Sequence, residues 1–324
     1  MEKNKRAVVT GGLGFLGGHL VESLVADEYE VTILDNGMSA RDEAFEYLQA
    51  SSVEIIDHDV RRPFPSSGAF DEVYHFASRA SPTDFEEHPV EIALTNSQGT
   101  ENALAFAHKH DARAIVASSS AVYGDPEVSP QHESYPGHVP LHNERAPYDE
   151  GKRFAEALTE AYVRKHDLDA RIIRPFNVYG PRMRLDDGRV IPNFVTQALA
   201  SEPITVYGDG TQSRCFCYID DVVRGVRKLA SLPTEEGRGT VVNLGRQKSI
   251  EIRELAETVK RIVETSPEIV YKPLPEGDPS SRSPAVERAA ALLDWSASTT
   301  LQSGLKETVE WYRDRIEMSS AQQR

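Results

Sequence analysis

Short runs of apolar, β-branched residues alternate with helical patterns through the first half of the 324-residue chain. Turn-forming residues bound the apolar runs, and the stretches between them carry apolar positions at helical spacing. Strands that alternate with helices require right-handed crossovers, so the pattern predicts an α/β fold with a doubly wound parallel sheet of the Rossmann type. The predicted strands cover residues 7–10, 30–35, 53–57, 72–77, 114–120 and 170–176, and the clearest helices cover 15–27 and 90–109.

After residue 176 the sequence changes to short helices and short strands. Amphipathic helical patterns cover residues 190–200, 220–232 and 249–265, and strand patterns flank the turn sequence GDGTQ. Parallel α/β sheets bind ligands at the carboxyl ends of their strands, so we expect a smaller lobe that closes over this edge. We predict a nucleotide-binding sheet domain over 1–176 with a strand and helix returning near 214–232, an interleaved substrate lobe over 177–315, and a loose tail over 316–324.

Composition and charge narrow the class of protein. Hydrophobic residues make up 39% and charged residues 27% of the chain, which is typical of a folded globular protein. A formal net charge of −15 would repel nucleic acid and anionic lipid, so neither is an expected partner. No apolar run is long enough to span a membrane, and Cys215 and Cys217 alone offer too few ligands for a zinc site. We therefore expect a cytoplasmic protein that holds no metal.

A glycine-rich turn follows the first predicted strand in the sequence VVTGGLGFLGGHL. Gly11, Gly14 and Gly17 have GxxGxxG spacing, which permits a tight turn, close approach of a pyrophosphate and close packing of helix on strand. The helix that follows would direct its N-terminus at the phosphates of a dinucleotide. Asp35 ends the second strand, where a carboxylate accepts hydrogen bonds from a ribose and repels a 2′-phosphate. These features predict NAD rather than NADP, with an ordinary strand-end turn as the alternative for Asp35.

Further cofactor contacts are expected where loops follow the predicted strands. Asp59 and Val60 come after the third strand and are expected near the adenine, with a solvated loop acid as the alternative for Asp59. The complete set of predicted cofactor contacts is Gly11, Gly14, Phe15, Leu16, Asp35, Asn36, Asp59, Val60, Ala77, Thr95, Tyr148 and Lys152.

The sequence YDEGK and the serine run before it provide a candidate catalytic set. Tyr148 and Lys152 are four residues apart, so on a helix they share one face. A lysine beside a phenol stabilises the phenolate, which makes the tyrosine a usable base near neutral pH. Ser119 ends a central strand, where its hydroxyl can bridge a substrate hydroxyl and the tyrosine. A surface pair at helical spacing and a serine that caps the backbone are the alternatives.

These motifs together resemble the extended short-chain dehydrogenase/reductase family, and the resemblance extends to about residue 315. Within the family the chain is most similar to the UDP-glucuronate decarboxylase branch, because YDEGK and DDGRVIPNF both match that branch. The resemblance implies a Rossmann fold, NAD as the cofactor and a UDP-sugar substrate. It also implies a homodimer that forms through the helices near 90–109 and 148–165.

The resemblance assigns roles to individual positions. Tyr148 is expected to be the base, Lys152 its partner and Ser119 the catalytic hydroxyl. Arginines supply forked donors for phosphate or carboxylate, so arginines in these loops are consistent with an anionic ligand. The resemblance places Asn177, Arg182, Asn193, Tyr207, Gln212, Arg214 and Arg282 where relatives hold the sugar, uracil and diphosphate. Arg79 is added to the expected substrate residues on its own chemistry, because its cation could replace the charge lost at Leu94 and hold the carboxylate.

Three positions depart from the decarboxylase branch. Ala121 stands where the branch has a glutamate, Leu94 where it has a lysine, and Arg79 where it has a proline. We expect NAD-dependent decarboxylation of UDP-glucuronate through a 4-keto intermediate, giving UDP-xylose, UDP-4-keto-pentose or both. A UDP-sugar or UDP-uronate 4-epimerase is the alternative, because sugar 4-epimerases tolerate a small residue at position 121. A catalytically inactive protein that binds a nucleotide sugar or NAD is a third hypothesis, which the complete catalytic set disfavours.

Overall fold

The computed structural model describes residues 4–38, 50–65, 68–273 and 281–322. The strands are β1 (Arg6–Thr10), β2 (Glu30–Asp35), β3 (Val53–Asp57), β4 (Glu72–His75), β5 (Arg113–Ala117), β6 (Ala170–Pro175), β7 (Val178–Tyr179), β8 (Ile204–Tyr207), β9 (Ser213–Cys215), β10 (Cys217–Tyr218), β11 (Val241–Leu244), β12 (Ser249–Glu251), β13 (Ile269–Lys272) and β14 (Ser281–Arg282). The helices are α1 (Phe15–Ala26), α2 (Pro82–Glu87), α3 (Pro89–Leu94), α4 (Thr100–His110), α5 (Ala146–His166), α6 (Val190–Leu199), α7 (Ile219–Ser231), α8 (Thr234–Gly237), α9 (Ile252–Val263), α10 (Glu287–Leu293) and α11 (Leu301–Gln322).

Seven parallel strands form the central sheet in the spatial order β3, β2, β1, β4, β5, β6 and β11. The predicted doubly wound parallel sheet is therefore confirmed. Alternate residues pack on opposite faces: Val9 and Ile33 belong to one hydrophobic core, and Val8 and Leu34 belong to the other. The strand order reverses between β1 and β4, and at this switch point the carboxyl ends of the strands open a crevice for ligands.

The smaller lobe consists of helices and short strand pairs. α6, α9 and α11 pack against one another, β8 pairs with β13, and β9 lies between β12 and β14. Buried residues of this lobe, including Phe194, Leu255 and Leu305, belong to the same hydrophobic core as Val9 of the sheet. The two parts therefore share one core, which fixes the position of the lobe relative to the sheet.

The path back to the sheet differs in detail from the expected return near 214–232. Ser213–Cys215 pairs within the smaller lobe, and the strand that joins the sheet is Val241–Leu244, parallel to β6. The helix in the expected range does return, because α7 packs against α1. β9, which precedes α7, cannot also join the central sheet, because its backbone already pairs with β12 and β14.

Two helices also differ from expectation. A π-helical turn, Thr95–Gly99, interrupts the helix expected over 90–109. There the Ser97 hydroxyl donates to the carbonyl oxygen of Ala93 at 2.7 Å, which illustrates how polar side chains compete for helix carbonyls. The tail expected to be loose over 316–324 is helical through Gln322, because an existing helix extends readily through residues of adequate propensity. In the described ranges, no helix is long and apolar enough to cross a membrane.

The turn between β1 and α1 leaves almost no room for side chains. Gly11 has a φ of +70°, and a Cβ there would lie 2.7 Å from the Cα of Ala77. A Cβ on Gly17 would lie 2.0 Å from the carbonyl oxygen of Gly11, whereas a Cβ on Gly18 would meet its nearest atom at 3.5 Å. The packing of α1 against β1 therefore requires glycine at position 17 and tolerates a methyl group at position 18.

We expect Gly17→Ala to destabilise the protein by about 1–3 kcal/mol, because the backbone of the turn must move to admit the new methyl group. Gly18→Ala is the matched control and should be neutral or stabilising by about 0.5–1 kcal/mol, since alanine is favoured over glycine inside a helix. Urea-induced unfolding followed by far-UV circular dichroism measures both. Equal stability of the two variants would contradict the packing argument.

Candidate active site

A cleft with a volume of about 690 Å³ lies between the carboxyl ends of the sheet strands and the smaller lobe. Every residue predicted to contact cofactor or substrate lines this cleft, although individual roles remain predictions. From the sheet domain come Gly11, Gly14, Phe15, Leu16, Asp35, Asn36, Asp59, Val60, Ala77, Arg79, Thr95, Ser119, Tyr148 and Lys152, and from the later segments come Asn177, Arg182, Asn193, Tyr207, Gln212, Arg214 and Arg282.

The N-terminus of α1 opens into one end of the cleft. Gly14 is its N-cap residue in an extended conformation, and no side chain caps the helix. A Cβ on Gly14 would meet a single atom within 4 Å, the carbonyl oxygen of Gly11 at 3.2 Å. Open space therefore lies in front of the helix N-terminus, where the N–H groups and the helix dipole favour an anion such as a pyrophosphate.

Asp35 lies at the carboxyl end of β2 beside this turn. Its Oδ2 accepts from the backbone N–H of Leu13 at 3.1 Å, and its Oδ1 accepts from that of Gly37 at 2.9 Å. Burial raises the pKa of Asp35, and these backbone hydrogen bonds act in the opposite direction. Each oxygen retains a further acceptor site, so the carboxylate can accept hydrogen bonds from ribose hydroxyls.

Asp59 is held by Arg61, a pairing that the sequence analysis did not anticipate. Arg61 Nε donates to both carboxylate oxygens, at 3.0 and 2.9 Å, and Nη2 donates to Oδ2 at 2.6 Å. These hydrogen bonds lower the pKa of Asp59. Asn102 donates to the carbonyl oxygen of Val60 at 2.9 Å and fixes the same loop. Asp59 is therefore an ordered, paired carboxylate at the cleft wall.

Tyr148 and Lys152 lie on one face of α5, as their spacing predicts, and both line the cleft. Lys152 Nζ lies 5.8 Å from the centroid of the Tyr148 ring. Ser119 accepts from the backbone N–H of Ala121 at 3.1 Å, and its hydroxyl lies near enough to Tyr148 to influence the pKa of that phenol. Burial raises the pKa of Tyr148, and the nearby Ser119 hydroxyl acts in the opposite direction. The three candidate catalytic residues therefore lie near one another in the cleft.

Lys152 is buried, with 4% of the residue exposed. Its Nζ donates to the carbonyl oxygen of Ala117 at 2.7 Å. Burial lowers the pKa of Lys152 to about 7, and the nearby charge of Glu156 acts in the opposite direction. Burial, together with the charge of Lys152, lowers the pKa of His75 to about 3, so this histidine is neutral. An anion beside Lys152, such as a phenolate, favours the protonated amine.

The predicted substrate residues that follow Lys152 in the sequence lie on the opposite wall, and internal contacts hold them in place. Asn177 Nδ2 donates to the carbonyl oxygen of Cys215 at 2.9 Å, and Asn193 Nδ2 donates to that of Gly188 at 3.0 Å. Arg282 donates through Nε and Nη2 to the carbonyl oxygen of Gly124, at 3.1 and 2.8 Å. These contacts position polar groups along the cleft before any ligand binds.

Arg182, Gln212 and Tyr207 belong to the same wall. Arg182 Nη1 lies 2.7 Å from Glu22 Oε1 on α1, which connects this wall to the glycine-rich end. Gln212 Nε2 donates to the carbonyl oxygen of Tyr207 at 2.7 Å, and Tyr207 is 42% exposed. An exposed aromatic ring at a cleft edge is suited to stacking on a planar base.

The positions that depart from the decarboxylase branch have distinct environments. Ala121 is 1% exposed and packs with Phe85, Ile92 and Tyr148 in an apolar cluster, and it does not line the cleft. Arg79 does line the cleft. Position 121 therefore contributes apolar packing behind Tyr148, and position 79 adds a positive charge to the cleft wall.

Arg145 is a cleft residue that the sequence analysis missed. Its guanidinium lies 4.9 Å from the centroid of the Phe85 ring, and its buried Nε has no hydrogen-bond partner. Its Nη2 lies 3.6 Å from Asp149 Oδ1. Arg145 precedes Tyr148 by three residues, and this helical spacing was a signal that both share a face.

Comparisons with known proteins agree with this architecture. The chain is 40% identical over 314 residues to UDP-glucuronic acid decarboxylase 1 of Xenopus tropicalis, across 97% of this chain and 73% of that protein. It is 43% identical over 315 residues to UDP-glucuronic acid decarboxylase 1 of Arabidopsis thaliana, across 97% of this chain and 71% of that protein.

A solved structure of UDP-glucuronic acid 4-epimerase from Bacillus cereus, in complex with UDP-glucuronic acid and NAD, superposes with a TM-score of 0.86. It is 25% identical, and the match covers 96% of this chain and 99% of that chain. The profile of the NAD dependent epimerase/dehydratase family matches residues 7–245. The family resemblance inferred from the motifs is confirmed, and the chain belongs to the NAD dependent epimerase/dehydratase family.

Proposed function

We propose that the protein is an NAD-dependent decarboxylase that converts UDP-glucuronate, through a 4-keto intermediate, into UDP-xylose, UDP-4-keto-pentose or both. The observation that carries this proposal is 40–43% identity to UDP-glucuronic acid decarboxylases along 97% of the chain. The proximity of Tyr148, Lys152 and Ser119 in the cleft supports it, because the chemistry needs a base at a sugar hydroxyl.

The residues of the cleft fit NAD. The open N-terminus of α1 suits the pyrophosphate, Asp35 suits the adenosine ribose, and Asp59 with Val60 suits the adenine. Bound there, NAD would supply hydride chemistry at C4 of the sugar. The hydride would return to C4 where UDP-xylose is the product, and it would remain on the cofactor as NADH where UDP-4-keto-pentose is released.

The protein's own residues handle the proton. Tyr148 takes the proton of the C4 hydroxyl, Ser119 hydrogen-bonds the same hydroxyl, and protonated Lys152 stabilises the phenolate. The carboxylate of the 4-keto sugar is then β to a ketone. Its C–C bond breaks readily, because the electron pair moves toward the C4 oxygen beside Tyr148.

We propose that the remaining cleft residues bind the UDP-sugar. Arg182, Arg214 and Arg282 supply guanidinium donors for the diphosphate, and Arg79 supplies one for the sugar carboxylate. Asn177, Asn193, Tyr207 and Gln212 contact the sugar and the uracil. Local arginines permit an anionic substrate even though the net charge of the chain is −15.

A 4-epimerase is the second candidate, and the apolar environment of Ala121 favours it. It would form the same ketone, keep the carboxylate and return the hydride to the other face of the sugar. The structural similarity to the Bacillus cereus UDP-glucuronic acid 4-epimerase also fits this candidate. The decarboxylase relatives share more sequence identity, and the decarboxylase is therefore the first choice.

We further propose a cytoplasmic homodimer that forms through the helices near 90–109 and 148–165. Val90 on α3 is 63% exposed and Phe154 on α5 is 50% exposed, so both helices carry large apolar side chains on their surface. Burial of such apolar side chains against a partner subunit is the usual source of stability for homodimers.

Incubation of the protein with NAD and UDP-glucuronate should yield products that have lost CO₂. We expect UDP-xylose together with a share of UDP-4-keto-pentose, separated by anion-exchange chromatography and identified by mass. Product consisting of UDP-galacturonate alone, at unchanged mass, would replace the decarboxylase proposal with the epimerase.

Tyr148→Phe should lower the rate of C4 oxidation by about 10²–10⁴-fold, because general-base help is lost. Binding of NAD and UDP-glucuronate should change little, since one hydroxyl is removed from a ring that stays packed on Phe85. Absorbance at the NADH band after rapid mixing measures oxidation, and calorimetry measures binding. Near-normal NADH formation in the variant would show that another group is the base.

Asp35 should make binding selective for NAD over NADP by at least about tenfold, because a 2′-phosphate would lie against a carboxylate. Calorimetric titration of the protein with each dinucleotide measures this ratio, and Asp35→Asn should reduce it. Equal affinities for NAD and NADP in the unmodified protein would refute the assignment.

A further inference from the structure

α2 and the residues before it form the cleft wall next to Tyr148. Ala80 and Phe85 pack with Tyr148 in one apolar cluster, and the ring centroids of Phe85 and Tyr148 are 5.2 Å apart. Arg79 precedes Ala80 and Asp84 precedes Phe85, and both of these charged residues line the cleft. A charged pair therefore flanks the apolar surface on which the candidate base is packed.

Arg79 and Asp84 form an ion pair that is largely shielded from solvent. Arg79 Nη1 donates to Asp84 Oδ1 at 2.8 Å, and the two side chains are 14% and 8% exposed. Ser81, the N-cap of α2, donates to Asp84 Oδ2 at 2.7 Å and accepts from the backbone N–H of Asp84 at 3.3 Å. Both oxygens of Asp84 therefore have a partner, and its position is fixed in the first turn of α2.

Arg79 has donors left for a second anion. A guanidinium carries five N–H groups, and Asp84 is the only side-chain partner of Arg79 within the part of the chain that the structure describes. Arg79 lines the cleft, and none of its nitrogens is both buried and without a partner in the described residues. The donors that Asp84 does not use are therefore accessible to a ligand. A planar fork of this kind suits a carboxylate.

We propose that the Arg79–Asp84 pair recognises the sugar carboxylate and controls whether it leaves as CO₂ or is retained. Arg79 donates to the carboxylate and selects a uronate over a neutral sugar. Asp84 shares the guanidinium and limits how strongly the cation holds the carboxylate. This inference rests on the proposed function and adds the determinant of substrate class and of product.

The movement of charge explains why the pair matters. In the 4-keto intermediate the C5–C6 bond breaks, CO₂ leaves, and the electron pair forms a C4–C5 double bond with negative charge on the C4 oxygen. C5 then takes a proton from water. A cation that held the carboxylate tightly would stabilise the ground state more than the transition state and slow this step. Asp84 reduces this ground-state stabilisation.

Asp84→Asn removes the charge of Asp84 while preserving its shape and a partner for Ser81. We expect the KM for UDP-glucuronate and the kcat for CO₂ release each to fall, by about tenfold, because Arg79 then holds the carboxylate more strongly. The share of product that retains the carboxylate, UDP-galacturonate, should rise. Unchanged or faster CO₂ release with an unchanged product ratio would overturn the proposed control.

The recognition step is tested by binding, without turnover, in the Tyr148→Phe background. The double replacement Arg79→Met with Asp84→Asn removes both charges, so no buried carboxylate is left unpaired. Calorimetry should show affinity for UDP-glucuronate falling by about tenfold or more, with affinity for UDP-glucose unchanged. Arg79→Lys keeps the charge without the fork and should give an intermediate preference. A double variant that still prefers UDP-glucuronate to the original extent would overturn the recognition role.

Glu86→Gln is the matched control, because it removes a charge from an exposed position of the same helix and should leave all these quantities unchanged. Thermal unfolding of each variant shows that its fold is intact. The two proposals fail separately. Absence of CO₂ release by the unmodified protein rejects the decarboxylase, whereas CO₂ release with variants that behave like the original rejects the role of the Arg79–Asp84 pair.

Discussion

The arrangement of the cleft floor depends on how the buried amine of Lys152 is stabilised. A cation removed from water requires compensation, and the carbonyl oxygen of Ala117 and the nearby charge of Glu156 supply it. His75 has to remain neutral beside it, and its strongly lowered pKa is consistent with that requirement. Because burial brings the pKa of Lys152 to about 7, a small change in its surroundings changes its charge. Deprotonation of Tyr148 is such a change, so the charges of the two residues are linked.

The same acid that compensates Lys152 also connects the floor of the cleft to its opposite wall. Glu156 accepts from Arg174 Nε at 2.8 Å and Nη2 at 2.6 Å, and Arg174 Nη1 donates to the hydroxyl of Tyr123 at 2.7 Å. Tyr123 donates to Asn243 Oδ1 at 2.8 Å, and Asn243 Nδ2 donates to the carbonyl oxygen of Ala285 at 3.2 Å. This buried series of hydrogen bonds fixes the position of the segment after β14 relative to α5. Buried polar networks of this kind specify one arrangement, because each group is costly to leave unpaired.

Local periodicity and short motifs made the sheet and the catalytic helix predictable from the sequence. The alternation of strands and helices indicated the parallel sheet, and the Tyr148–Lys152 spacing indicated a shared helix face. Pairings whose contact depends on loop conformation, such as Arg61 with Asp59 or Arg145 over Phe85, were not predictable in this way. The strand Val241–Leu244 was also missed, because four residues that pair with β6 across a long separation leave little periodic signal.

Several arginines of the cleft form ion pairs with neighbouring carboxylates and still have N–H donors that can bind a ligand. A chain with a net charge of −15 has to attract an anionic ligand by local positive charge, and unpaired cations inside a cleft would be costly. Several cleft arginines therefore have a resident carboxylate that uses only part of the guanidinium fork, which leaves donors for an incoming phosphate or carboxylate. A ligand that binds in this way shares a cation and does not have to displace a partner. Pairs of this kind include Arg61–Asp59, Arg79–Asp84 and Arg189–Asp187.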